Sequence, residues 1–219
     1  MRTAHDVILP SDVFDLPVDP VTLFARSAPV ELEIGCGKGG FLLRQARANP
    51  DRNYLGIERA NAIYKFAADR MARWGVENVR IVRADARQVV LRGLTDASLA
   101  GLHVYHPDPW PKRRHARRRL IQPDFVDAAV RVLRPGARWA IQTDHADYFE
   151  QIRPLLVAHE DLDEVPFNDP EAGITEDGLT ETNFETKYLR EGRTILRIAM
   201  RKRPARSDCK SMGTRPSCE

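Results

Sequence analysis

The chain is an α/β protein built on a mostly parallel sheet with helices on both faces. Three observations say so. Short apolar runs recur along the chain with helix-patterned stretches between them. Glycine or proline closes most of those segments. Acidic residues fall again and again at the ends of the apolar runs, where ligands of such sheets bind. A length of 219 residues suits one domain of this kind.

The elements follow in order. Residues 1–28 are proline-rich (Pro10, Pro17, Pro20) and weakly patterned, which predicts an irregular, partly mobile lead-in. Val30–Ile34 reads as a strand that turns at Gly35, Gly39–Ala48 as a helix stopped by Pro50, and Tyr54–Ile57 as the next strand. Asn61–Trp74 reads as a long helix with Ile63, Phe66, Ala67, Met71 and Trp74 on one core-facing side, stopped by Gly75. Val79–Arg83 and Leu102–His106 are strands. Gln122–Leu133 is a helix stopped by Pro135-Gly136. Arg138–Thr143 is a strand, His145–Ala158 a helix and Thr194–Met200 a final strand. Residues 203–219 hold almost no large apolar side chains and are expected to be disordered. The expected organisation is thus a lead-in at 1–28, a catalytic domain at 29–202 and a tail at 203–219.

Composition sets bounds. Hydrophobic residues make up 42% and charged residues 30%, ordinary values for a globular chain. Three cysteines without metal spacing give neither a disulfide framework nor a zinc site, which fits a cytoplasmic setting. No apolar run is long enough for a membrane span, and no signal peptide is expected. Net charge is only +3, so any polyanion must be met by a local cluster.

That cluster lies at 104–119. Asp108 sits between two prolines beside Trp110, and Lys112, Arg113, Arg114, Arg117, Arg118 and Arg119 follow at once. A rigid turn carrying one carboxylate and one ring at the mouth of a dense positive patch suits a site that holds a polyanion while one base is handled.

Upstream, Glu33-Ile-Gly-Cys-Gly-Lys-Gly-Gly40 follows a strand and opens a helix. Gly35 permits a tight turn, Gly37 backbone approach to a ligand, and Gly40 close helix packing. Glu58 ends the second strand, where an acid accepts bonds from ribose hydroxyls, and Asp85 follows the third, within reach of an adenine amino group. Glu33 is a poor neighbour for a pyrophosphate. It suits the ammonium and sulfonium of S-adenosylmethionine better. Cys36 reads as a small packing residue.

These blocks resemble a known family. Glu-Ile-Gly-Cys-Gly-Lys-Gly (33–39), Gly-Ile-Glu (56–58), Pro-Asp-Pro-Trp-Pro-Lys (107–112), Thr-Asp (143–144) and Thr-Asn-Phe-Glu (182–185) are similar to the bacterial tRNA (guanine-N7-)-methyltransferases. The resemblance runs from about residue 30 to residue 202. It implies a Rossmann-like S-adenosylmethionine-dependent methyltransferase fold whose last strand is antiparallel. It implies methyl transfer to N7 of guanine 46 in the variable loop of tRNA, with no metal, by a monomer or homodimer. Glu33, Gly35, Gly37, Glu58, Asp85 and Asp108 match cofactor positions, Asp108 also the catalytic one. Lys112, Asp144, Thr182, Asn183, Phe184 and Glu185 match substrate positions, and Arg114, His115, Arg117, Arg118 and Arg119 the RNA-contacting stretch. His106 departs from the apolar or aromatic residue usual there. A nicotinamide-dependent oxidoreductase shares the glycine loop and Glu58 but leaves Glu33, Asp85 and the arginines unused. A non-catalytic RNA-binding protein of methyltransferase-like fold would keep the arginines and transfer nothing.

Overall fold

A computed structural model describes residues 2–169, 180 and 182–204; of the tail expected at 203–219, residues 205–219 lie outside them, and Arg203 is held in place by Asp161 O and the Asp163 carboxylate. Among the described residues the sheet has eight strands: β1 (Ile8–Leu9), β2 (Val30–Ile34), β3 (Asn53–Ile57), β4 (Val79–Val82), β5 (Leu99–Tyr105), β6 (Leu133–Thr143), β7 (Leu162–Val165) and β8 (Leu196–Lys202). Their order is β1-β4-β3-β2-β5-β6-β8-β7. All neighbours are parallel except β8, which runs antiparallel to both β6 and β7. Strand order reverses between β2 and β5, which is where a crevice opens above an α/β sheet.

Among the described residues six α-helices connect the strands: α1 (Gly40–Ala48), α2 (Asn61–Arg73), α3 (Ala86–Gln88, widening into a π-turn over Val89–Gly93), α4 (Pro123–Val132), α5 (Ala146–Val157) and α6 (Asn183–Arg190). Strand alternation divides the core into two layers. Tyr54, Val79 and Ile81 meet Leu42, Ala67 and Met71 of α1 and α2. Leu55, Ile57 and Val82 belong with Phe125 of α4 and Tyr148 of α5 on the other side. Trp139 of β6 is fully buried and tilts against Phe125, 6.3 Å between ring centres.

Some expectations needed correction. The lead-in is tied down: β1 pairs with β4, and Phe14 and Phe24 enter the core. Pro135 and Gly136 do not stop α4. The helix ends at Val132, and both residues lie within β6, where the pairing with β5 shifts register. The core stripe of α2 is narrower than its pattern predicts: Ala67 and Met71 are in it and the larger residues are not. Ala67, Ala68, Met71 and Ala72 face the core, while Ile63, Phe66 and Trp74 are 38%, 44% and 55% exposed. Gly39 explains the choice. A Cβ there would stand 2.7 Å from Met71 Cε and 3.3 Å from Ala67 Cβ, so glycine and the small side of α2 interlock.

Candidate active site

The glycine loop is a run of left-handed turns. Gly35, Gly37 and Gly39 have φ of 73°, 53° and 69°, a region that costs other residues about 1 kcal/mol or more. Gly35 and Cys36 both donate backbone N–H to Ile57 O of β3, at 2.8 and 3.1 Å. Glu58 braces the same loop: its Oε2 accepts from Gly37 N at 3.0 Å and its Oε1 from Ala60 N at 2.8 Å. The close-packing glycine is Gly39 and not Gly40. Gly56 also makes room, since a Cβ there would lie 3.0 Å from Cys36 Sγ. Burial and the neighbouring Glu33 and Glu58 push the Cys36 thiol far up, which leaves it a neutral packing group.

Two glutamates of β2, Glu31 and Glu33, point to the α1 side and are both buried. Their fates differ. Glu31 receives Arg52 Nη1 at 2.5 Å and stands 2.8 Å from His103 Nε2, whose Nδ1 is 2.8 Å from Tyr105 Oη. Burial raises its carboxyl, but the bonds from His103 and Arg52 outweigh this and hold it below the usual range. Gly101 supplies the space, since a Cβ there would sit 3.2 Å from the Glu31 carboxyl carbon. Glu33 is only 3% exposed, and its Oε2 has no hydrogen-bond partner among the described residues. Burial pushes its carboxyl up to about 8; Arg44 pulls it down and Glu58 adds to the rise. A buried acid with one oxygen left without a hydrogen-bond partner among the described residues, beside a second carboxylate and the glycine turn, suits a cation.

The other expected acids sit at the same strand ends. Asp85 is exposed and caps α3, its Oδ1 accepting from Arg87 N at 2.9 Å. Asp108 is exposed at the end of the turn that follows β5. It is flanked by two strained residues, His106 (φ 52°) and Trp110 (φ 42°), a conformation that concentrates at functional sites. Asp144, just past β6, accepts from Arg193 Nη1 at 2.8 Å and lies 3.6 Å from His106 Nδ1. Although burial opposes it, the Arg193 bond holds its carboxyl below the usual range. Burial lowers His106 despite that neighbour, and its ring packs 5.1 Å from Tyr188 and 6.4 Å from Phe184 of α6.

The basic run forms a short 3₁₀ helix, Arg113–Arg118. Lys112, Arg113, Arg114, Arg117 and Arg118 are exposed and His115 half-buried. Trp110 packs within the run, with Arg118 5.1 Å above its ring and His115 edge-on at 5.8 Å. Arg119 departs from its expected RNA contact. It is 6% exposed, donates from Nε to Pro109 O at 2.8 Å and from Nη1 to Gln151 Oε1 at 3.0 Å, and lies over Tyr148. It therefore clamps the Pro-Asp-Pro turn to α5.

The segment 182–185 is also turned inward. Thr182 caps α6 by accepting from Glu185 N at 3.1 Å. Glu185 is buried, with Oε1 taking Arg197 Nη2 at 2.9 Å and Oε2 taking Thr180 N at 2.7 Å. Neither presents a free edge for guanine in this conformation. Asn183 opens α6, and Phe184 is the exposed ring of the segment. Arg197, Gln142 and Thr180, which hold this corner, carry no signal in the linear sequence, and Arg193, which reads there as part of a basic surface, donates instead to Asp144. Gln142 donates to Thr180 Oγ1 at 2.7 Å and lies 3.1 Å from His106 Nε2. Among the described residues no group of His, Cys, Asp and Glu could hold a metal ion, and no helix is long and apolar enough to cross a membrane.

The doubly wound sheet with antiparallel β8 and a left-handed glycine turn between β2 and α1 is the fold of S-adenosylmethionine-dependent methyltransferases. Solved structures share the fold. The aminoglycoside resistance methyltransferase NpmB1 superposes with TM-score 0.56 at 16% identity, covering 83% of this chain and 89% of that one. The 16S rRNA methyltransferase KamB gives 0.55 at 17% identity, over 84% and 92%. Residues 27–198 match the family model described as "Putative methyltransferase". The tRNA (guanine-N(7)-)-methyltransferase of Nitrosococcus oceani is 40% identical over 80% of this chain and 71% of its own. That of Alkalilimnicola ehrlichii is 38% identical over 85% and 78%. The chain belongs to the tRNA (guanine-N(7)-)-methyltransferase family.

Proposed function

We propose that this chain transfers the methyl group of S-adenosylmethionine to N7 of guanine 46 in the variable loop of tRNA, in the cytoplasm. The observation that carries the reading is Glu33, a buried carboxylate whose Oε2 has no partner among the described residues, beside Glu58 and a glycine loop open to a ligand. A positively charged donor draws such an acid to its ionised form and gains from it, whereas a pyrophosphate would hold it neutral and gain no charge pairing, which disfavours a nicotinamide cofactor. When bound, S-adenosylmethionine supplies an electrophilic methyl group on a positively charged sulfur.

The chain's own residues then divide the work. Glu33 neutralises cationic charge, Glu58 accepts from the ribose while bracing Gly37, and Asp85 meets the adenine. N7 of guanine has an in-plane lone pair and no proton, so no residue has to act as a strong base. Asp108 stabilises positive charge as it develops on the purine, and the strained turn and Arg119 hold it in place. Lys112, Arg113, Arg114, Arg117 and Arg118 hold phosphates, with His115 beside them. Asp144 and Phe184 border the space for the base, and the resemblance adds Asn183 to the substrate positions. Thr182 and Glu185 pin α6 there and read guanine only if their internal bonds exchange for bonds to the base.

Purified protein incubated with unmodified tRNA and labelled S-adenosylmethionine tests this. Nucleoside mass spectrometry should find 7-methylguanosine at position 46, and none when that guanine is replaced by adenine. Label absent from RNA, or found at another position, would overturn the reading.

A further inference from the structure

The outer face of α2 takes no part in the site described above, yet it is built in an unusual way. Phe66 and Trp74 stand 44% and 55% exposed on it. Each ring is overlaid by a cation from outside the helix: Lys38 Nζ is 5.6 Å from the centre of Phe66, and Arg47 Cζ is 4.7 Å from that of Trp74. Arg70 and Arg73 complete a groove of about 450 Å³ between the rings. The ion pairs among the described residues leave Lys38, Arg47, Arg70 and Arg73 without an acidic partner. The one carboxylate of α2 is Asp69.

We infer that this face is a second RNA-docking surface, with unpaired bases stacking on Phe66 and Trp74 and phosphates held by Lys38, Arg47, Arg70 and Arg73. The inference rests on the tRNA reading above and extends it to a part of the RNA remote from the methylated base. Exposed rings interleaved with unpaired cations are what a single-stranded nucleic acid needs. Every base has a face to stack, and every nucleotide brings one negative charge. A second copy of the chain fits worse, because a two-fold contact would set the same cations against one another. Position also favours RNA. Lys38 lies in the glycine loop, so the face is continuous with the cofactor crevice. In the sheet β5, which leads into the basic turn, is three strand spacings from β4, about 15 Å; α2 runs back from the strand ends, so Phe66 and Lys38 form the end of this face nearer the crevice and Trp74 lies about 12 Å further along the helix.

The test compares the wild type with Phe66→Ala/Trp74→Ala and with Arg47→Gln/Arg73→Gln. All four positions lie outside the cofactor and methyl-acceptor machinery. Filter binding of tRNA without methyl donor reads docking directly, and methylation kinetics and light scattering accompany it. The ring variant should weaken tRNA binding, and raise the tRNA KM, about tenfold or more. Its kcat at saturating tRNA and its affinity for S-adenosylmethionine should stay unchanged. The charge variant should reduce the log–log salt slope of tRNA binding by about one unit per lost phosphate contact. Unchanged tRNA affinity and salt slope in both variants, with the wild type methylating tRNA, would overturn the inference and leave the parent reading intact. So would a ring variant that turns a dimer into monomers while each subunit binds tRNA as before, or one that loses only an acidic protein partner. A wild type that binds tRNA through this face but methylates none would sink the parent reading alone.

Discussion

Replacing Glu33 by glutamine separates what this residue costs the fold from what it gives the ligand. The free carboxyl titrates at about 8 against an ordinary value of 4.5, because burial and Glu58 oppose its charge. That gap corresponds to at most about 5 kcal/mol of penalty once the group is forced to ionise. The sign follows from proton counts. Between pH 4.5 and about 8 the folded chain keeps a proton on Glu33 that the unfolded chain has lost, so stability from this group falls as pH rises through that window. Below it the group is neutral in both states and contributes no slope. Glu33→Gln removes the slope and should make the ligand-free protein more stable at pH 8. Each kcal/mol is worth roughly 2–4 °C in a domain of this size, so a rise of about 5 °C or more is expected in thermal melts. The same change should abolish most cofactor affinity. In the wild type, binding a cation should drive Glu33 to its charged form and release close to one proton at pH 7, and almost none above about pH 9. Titration calorimetry in buffers of different ionisation enthalpy reads that proton directly. The argument fails if the variant is less stable than wild type at pH 8, or if it binds S-adenosylmethionine as tightly as wild type does.

Four further outcomes follow from the geometry. Asp108→Asn should lower kcat by about 10²–10³-fold with tRNA affinity little changed, measured by single-turnover methylation. Arg118→Gln should cut the salt slope of tRNA binding by about one unit at unchanged stability, whereas Arg119→Ala should cost about 2–3 kcal/mol in denaturant unfolding, because it strips the bonds that hold Pro109 and Gln151. Gly39→Ala should destabilise by about 1–3 kcal/mol, since its φ is 69° and the new Cβ would meet Met71 Cε at 2.7 Å; a neutral melt would refute that packing argument.

Local pattern and linear motif were enough for much of this protein. Alternating apolar runs and breakers specify β2 to β6 and α1, α2, α4 and α5 within a few residues, because each signal depends on neighbours in the chain. The same pattern puts the glycine loop, Glu58, Asp85 and Asp108 just past strand ends, and the structure has them there, beside the crevice above the sheet. The chain singles out Glu33 beside the glycine loop, but it does not show that Glu31 in the same strand is also buried, satisfied by Arg52 and His103 from β3's entry and from β5, while Glu33 Oε2 has no partner among the described residues. Nor could it show that Arg119 turns inward while Arg117 and Arg118 stay exposed, or that Thr182 and Glu185 cap and pin α6. The outward side of α2 was hidden for the same reason. Helical period places Ile63, Phe66 and Trp74 beside the core stripe, but the contact of Gly39 with Ala67 and Met71 selects which side packs. Sequence determines which groups are present and where along an element they fall; which of them find partners depends on contacts between distant segments, and those exist only once the chain has folded.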